Sequence, residues 1–131
     1  MSDTAEQLPQ IFDELERCKP WIEAAISYGG GSHTFKDVVD GILTNKMQFW
    51  PSEKGCIVTE IIQYPQTRNL HIFLAGGDLE QILDYNDSLK EYASLQGCDA
   101  VTLAGRPGWK KGLKDLGYEQ QFIVLKQRID S

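Results

Sequence analysis

The chain has 131 residues, of which 41% are hydrophobic and 24% are charged, as expected for a single globular domain. Its net charge of −6 argues against a general nucleic-acid binder, because such proteins present a basic face to phosphates. The sequence has no apolar run of the ~20 residues that a membrane helix needs. Its polar, acidic N-terminus is unlike a secretory signal, so we expect a cytoplasmic protein.

The three cysteines, Cys18, Cys56 and Cys98, are far apart in the sequence. None of them belongs to a Cys-x-x-Cys pair, and the chain has only two histidines to join them as ligands. This inventory predicts no metal site. We expect three reduced and mostly buried thiols.

The N-terminal third has the spacing of helices. Apolar residues recur at helical intervals over residues 8–26, and Pro20 predicts a break between two short helices. The first of these helices has no strand before it, so we expect it to dock on a neighbouring molecule. After a glycine loop, Thr34 is a candidate N-cap with Asp37 three residues later, which predicts a helix ending near Asn45.

The centre and the C-terminal part alternate between strand and helix patterns. An antiparallel meander is predicted first, with strands at residues 47–50, 56–64 and 70–75. The later elements are predicted as one long helix over residues 79–95 ended by Gly97, a strand at 100–103, a last helix closed by Gly117, and a final strand at 119–129.

This order predicts an α/β fold, with a mixed, mostly antiparallel sheet flanked by helices on both faces. We interpret residues 1–131 as one domain. It consists of an N-terminal helical segment at 1–28 and a core at 34–129.

The element order resembles the core of the GNAT N-acyltransferase superfamily. Residues 109–118 (WKKGLKDLGY) are similar to the penultimate helix of that family and to its Leu-Gly-aromatic exit into a last strand. Residues 33–77, with HTFKDVVDGI, MQFWP, VTEI and LHIFLAGG, resemble small uncharacterised phage proteins with a GNAT-like core. The resemblance implies that acetyl-CoA, if bound, would contact the turn formed by Ala75, Gly76, Gly77 and Asp78.

The chain departs from the family pattern in three places. The family's phosphate loop, (Arg/Gln)-x-x-Gly-x-(Gly/Ala), is replaced by LAGGDLEQ. Asp78 is the expected N-cap of the next helix and Glu80 lies in its first turn, so both carboxylates would repel a pyrophosphate from the helix start. Leu113 stands where the family often has a proton-donating tyrosine. Only one strand is predicted after Gly117 where the family generally has two, so the last strand pair is truncated.

Glu60 and His71 are the candidate catalytic residues, because a carboxylate or an imidazole on neighbouring strands can serve as a general base for an amine. A five-residue hairpin loop would place His71 opposite Gln63 and Glu60 opposite Leu74. We therefore expect the two side chains to point to opposite faces of the sheet. A structural role is the alternative for both.

Arg106, Lys110, Lys111 and Lys114 form a basic cluster around the last predicted helix, with Trp109 and Leu113 facing the core. The cluster is a candidate interface. It fits a solvated face, an anion site at the helix start, or a docking surface for an acidic partner such as a second copy of this chain.

The interpretation that we favour is a degenerate GNAT-like, phage-type protein. It would act by binding or assembly, as a virion-associated or accessory protein, through a protein partner or self-association and without a cofactor. One alternative is an acetyl-CoA-dependent N-acetyltransferase with an atypical site. A second is a small acidic adaptor or inhibitor of a host protein. The expected location is the host cytoplasm or a virion.

Overall fold

The computed structural model of the protein describes the backbone of residues 3–105 and 107–129 and the side chains of residues 10–105 and 108–129. These residues form five α-helices and four β-strands. The elements are α1 (Asp3–Tyr28), α2 (Phe35–Leu43), β1 (Met47–Ser52), β2 (Gly55–Gln63), β3 (Arg68–Gly77), α3 (Leu79–Leu83), α4 (Asn86–Leu95), β4 (Ala100–Leu103), a 3-10 turn (Pro107–Trp109) and α5 (Lys110–Lys114).

The strands form one mixed sheet in the order β1-β2-β3-β4. The first three strands pair antiparallel, and β4 pairs parallel to β3. One core cluster packs α1 and α2 against one face of this sheet, and a second packs α3, α4 and Trp109 against the other. The predicted α/β class, with helices on both faces of a mixed sheet, is confirmed.

Helix α1 is continuous, so the predicted break at Pro20 is wrong. Leu15, Cys18 and Ile22 are all buried against the sheet. They form one apolar face on both sides of the proline. This packing keeps the two halves aligned although the proline removes one backbone hydrogen bond. The expectation that this helix docks on a neighbouring molecule is also wrong, because its apolar face packs on the protein's own core.

The start of α2 follows the sequence prediction. The Thr34 hydroxyl accepts a hydrogen bond from the Asp37 backbone N–H at 3.1 Å, and the Asp37 carboxylate accepts one from the Thr34 N–H at 2.8 Å. These two bonds satisfy two N–H groups at the helix start and form a capping box. The hydrogen bond from the Thr34 backbone N–H, together with one from the Thr34 side chain, lowers the pKa of the Asp37 carboxyl.

The single helix predicted over residues 79–95 is wrong, because the chain breaks it into α3 and α4 at a turn formed by residues 84–85. The Tyr85 hydroxyl donates a hydrogen bond to the Pro51 carbonyl oxygen, and its ring meets that of Trp50 edge to face. These contacts tie the break to the end of β1. They involve residues distant in the sequence, so helical periodicity does not reveal them.

The predicted final strand is also wrong, since residues 119–129 form no strand. The segment has apolar and β-branched residues, but strand propensity depends on packing against neighbouring strands. Its apolar side chains from Phe122 to Leu125 are exposed. In the described part of the chain, β1 and β4 are therefore the two edge strands of the sheet.

Candidate functional site

The glycine pair after β3 is packed tightly against other parts of the backbone. Gly77 has a φ of +98°, and a Cβ at this position would overlap the Lys54 carbonyl oxygen and the Gly55 Cα. A Cβ on Gly76 would lie 2.8 Å from the Trp21 carbonyl oxygen. The two glycines therefore allow a close approach between β3, α1 and the turn that connects β1 with β2.

Polar groups at this turn are paired within the protein. The Asp78 N–H donates to the Lys54 carbonyl oxygen at 2.8 Å. The Asp78 carboxylate accepts a bond from the Glu80 N–H at 3.0 Å and caps α3, as the sequence predicts. The Lys54 N–H donates in turn to the Gln81 side chain. These polar groups are therefore bonded to other protein atoms and are not free for the pyrophosphate that the family resemblance implies at this turn.

Glu60 and His71 lie directly opposite each other on β2 and β3. The predicted register is wrong because the strands continue up to the pair Gln63 and Arg68, which leaves a shorter loop. The shift is three residues, and a shift by an odd number moves side chains to the other face. Glu60 and His71 therefore share a face instead of pointing apart.

Thr102 on β4 extends this pair into a polar row across three strands. It lies opposite His71 in the parallel β3–β4 register, and its hydroxyl is hydrogen bonded to the His71 Nδ1 at 2.9 Å. We call Glu60, His71 and Thr102 the polar row. The hydroxyl holds the imidazole in one orientation, which leaves Nε2 as the ring nitrogen for another partner.

The electrostatics of the polar row favour a neutral imidazole. Burial lowers the pKa of His71, and the Glu60 carboxylate opposes this effect. A neutral, half-buried imidazole beside a carboxylate can accept a proton near neutral pH. The polar row is therefore able to provide a general base.

A cleft opens where β3 and β4 part. The two strands pair only from Asn69–Ala100 to Ile72–Leu103, while β3 continues to Gly77. The register of β2 against β3 shifts at the same level, so that Phe73 is the extra residue of a β-bulge. The cleft walls are mostly apolar and include Leu74, Ala75, Leu103, Ala104 and Trp109.

The predicted basic cluster is only partly described, since Arg106 lies outside the described residues. Lys110, Lys111 and Lys114 are all exposed on α5, and the Lys110 ammonium donates to the Gln120 side chain at 2.8 Å. These lysines form a solvated basic face.

Sequence reasoning missed Thr102 and the bulge at Phe73. Thr102 lies in a strand whose bounds the sequence predicts, but its contact with His71 depends on which residues of β3 face β4. The bulge carries no glycine or proline that would mark it. The register of β3 against its two neighbours identifies both residues, and a single sequence does not supply that register.

The thiols of Cys18 and Cys56 are buried, and Cys98 is partly buried. Among the described side chains, those of residues 10–105 and 108–129, no three from His, Cys, Asp or Glu group closely enough to hold a metal ion. Among the helices described, none is both long and apolar enough to span a membrane.

The chain is similar in structure to several solved proteins. A tetramutant of protein BH1408 from Bacillus halodurans matches with a TM-score of 0.65 at 14% identity, over 92% of this chain and 95% of that chain. A transcriptional regulator from Bacillus halodurans matches with a TM-score of 0.57 at 14% identity, over 72% of this chain and 75% of that chain.

Wild-type TTHA1254 from Thermus thermophilus matches with a TM-score of 0.55 at 15% identity, over 75% of this chain and 81% of that chain. No protein-family model matches the chain, and no curated protein matches it by sequence. These similarities establish a shared fold, a small α/β domain with a mixed sheet between helices.

Proposed function

We propose that the protein is a degenerate GNAT-like domain that acts by binding or assembly and not by acyl transfer, as a phage-type virion-associated or accessory protein. One observation carries the proposal. Four consecutive apolar side chains, from Phe122 to Leu125, are between 68% and 84% exposed. An exposed apolar run of this kind is a surface for another chain.

The closed glycine turn supports the non-catalytic half of the proposal. An anion site at a helix start needs free N–H groups and room for the ligand. Here Asp78 caps one of these groups, and Gly77 is packed on the Lys54–Gly55 backbone. The carboxylates of Asp78 and Glu80 add electrostatic repulsion towards a pyrophosphate.

The residue that replaces the family's tyrosine also supports this proposal. Leu113 lines an apolar pocket together with Leu116, Tyr118 and residues of α3. A leucine side chain has no proton to donate to a thiolate leaving group. Burial raises the pKa of the nearby Tyr118 hydroxyl, which keeps it protonated within its apolar surroundings.

An acetyl-CoA-dependent N-acetyltransferase is the second candidate, and the polar row favours it. Glu60 and His71 share a face, and burial lowers the pKa of His71. This is the arrangement that a general base for an amine requires. The cleft between β3 and β4 would then hold the acyl chain, with Ala75 in its wall.

A third candidate, an acidic adaptor or inhibitor of a host protein, is supported by the net charge of −6 alone.

Association of the purified chain and of its native partners tests the proposal. We expect light scattering across a concentration series to reveal self-association, or co-purification from the native source to recover a partner. Leu125→Ser should reduce either interaction. Leu95→Ser is the matched control, because Leu95 is also an exposed leucine (76%) but lies on α4. A strict monomer that recovers no partner would contradict the proposal.

A further inference from the structure

Strand β4, which forms one of the two open edges of the sheet, and the exposed segment have matching lengths. Strand β4 has four residues and pairs with β3 on one side. The exposed apolar run from Phe122 to Leu125 also has four residues. Backbone N–H and C=O groups at a strand edge seek partners, and an extended apolar segment can supply them.

The apolar run from Phe122 to Leu125 would be apolar on both faces if it formed a strand, which suits a position between the helices that pack around β4. In a strand, Phe122 and Val124 would face one side of the sheet, while Ile123 and Leu125 would face the other. A strand that is apolar on both sides suits a position with cover on both faces. Next to β4, this cover comes from the end of α1 on one face and from α4 and Trp109 on the other.

The charge of the chain is unevenly distributed. Residues 107–129 carry five basic side chains and two acidic ones, a net charge of +3, whereas the whole chain has a net charge of −6. Whole copies therefore repel each other at long range, but the basic C-terminal part of one copy complements the acidic remainder of another at close range. Both surfaces are present on every copy, so that an exchange between two copies can close with two-fold symmetry.

Within one chain, contacts at the start of the segment keep it from joining the sheet as a fifth strand. Gly117 adopts a φ of +92°, Tyr118 enters the apolar pocket beside α3 and α5, and Gln120 is bonded to Lys110. The segment then continues without forming a ladder with β4. We propose that residues 121–127 of one copy add a strand to the β4 edge of a second copy, and that the reciprocal exchange forms a dimer.

This inference rests on the proposed function, whose partner it identifies as a second copy. A first test compares Val124→Pro with Val124→Thr in sedimentation experiments. Proline removes a backbone N–H, and in an edge strand only alternate N–H groups point to the neighbouring strand, so either Val124→Pro or the adjacent Ile123→Pro should raise the dimer dissociation constant about a hundredfold. Threonine keeps the strand preference and should change the constant far less. Because Val124 is exposed, these variants should keep the wild-type unfolding temperature at protein concentrations low enough for every chain to be monomeric.

A second test identifies the pairing between copies in a Cys98→Ser background. One preparation carries Ala100→Cys on the exposed start of β4, and others carry a single cysteine at each position from 122 to 125. Mild oxidation of mixtures should cross-link the two kinds of chain at alternate positions of the segment, because cross-strand neighbours lie about 5 Å apart.

Three results would overturn the inference. They are a monomeric wild-type chain, equal effects of proline and threonine, and mixtures in which no cross-link forms between the two kinds of chain. A monomer that still recovers a native partner through an intact segment would contradict the exchange but support the proposed function. A monomer that recovers no partner would contradict both.

Discussion

The first three strands and the C-terminal quarter of the chain contain similar residues in opposite surroundings. The central strand β2 has a neighbouring strand on each side and helices over both faces, and its residues from Cys56 to Thr59 are buried. The segment from Phe122 to Leu125 is equally apolar, yet its side chains are exposed. Pairing to neighbouring strands, and not residue type, makes the difference.

Strand β4 lies between these two extremes. Its Val101 and Leu103 are partly buried and pack on the second core cluster, but only its β3 edge is paired within the described chain. The sheet thus has two edges that are open in the described chain, one at β1 and one at β4, and the exposed apolar segment follows β4 in the sequence.

The largest expected difference is between a leucine-to-alanine substitution in the buried sheet and the same substitution in the exposed segment. Leu70→Ala should lower the free energy of unfolding by about 2–5 kcal/mol, because it leaves a cavity at a fully buried position. Leu125→Ala should change it by less than about 0.5 kcal/mol in the monomer, since its side chain is 84% exposed. Urea unfolding of dilute protein measures both, and equal losses would contradict the contrast between the regions.

The next effect separates a packed glycine from an open one. Gly77→Ala should cost about 1–2 kcal/mol for a positive φ and about 1–3 kcal/mol more for overlap with the Lys54–Gly55 backbone. Gly97→Ala should have only the first of these costs, because Gly97 also has a positive φ but no atom lies near its Cβ position. Thermal unfolding compares the two variants. Equal costs would mean that the glycine turn is not closely packed.

A smaller effect is expected at the cap of α3. Asp78→Ala should lower the free energy of unfolding by about 1 kcal/mol, because it removes the oxygen that accepts the Glu80 N–H. Asp78→Asn keeps an acceptor and should cost less. Denaturant unfolding distinguishes the variants. Unchanged stability in Asp78→Ala together with altered acetyl-CoA binding would instead make Asp78 a ligand-binding residue.

The polar row predicts a small dependence of stability on pH. Burial lowers the pKa of His71 from its ordinary value of 6.5, so below pH 6.5 the unfolded chain binds more protons than the folded one. The free energy of unfolding should therefore fall as the pH drops from 6.5 towards the lower folded pKa, and this group should add no slope above 6.5. The His71→Gln variant lacks the titrating ring and should not have this slope. Thermal unfolding between pH 5 and 8 measures the difference, and identical profiles would contradict the assigned pKa shift.

The sequence correctly predicted the features that depend on residues close together in the chain. The capping box at Thr34 and Asp37, the cap at Asp78 and the bounds of β4 follow from residues within a few positions of each other. The fold class follows from the order of such elements.

The errors lie where distant contacts decide the outcome. Pro20 is accommodated because buried residues on both sides of it pack on the sheet. The pairing of Glu60 with His71 depends on where the β2–β3 hairpin turns, and the sequence does not fix that position. The prediction of a final strand is wrong because a strand forms only when it pairs with the edge of a sheet. Whether such an edge is within reach depends on the assembled sheet and not on the segment itself.

Isothermal titration of the wild-type protein with acetyl-CoA tests most directly whether the domain works by binding other chains and not by acyl transfer. With Gly76 and Gly77 closed by the backbone around them and Asp78 capping α3, we expect no saturable heat at millimolar ligand and no rise in the unfolding temperature. Saturable binding with matching thermal stabilisation would contradict this conclusion, because a ligand that binds the folded state must stabilise it. The glycine turn and the polar row would then belong to an active acyltransferase.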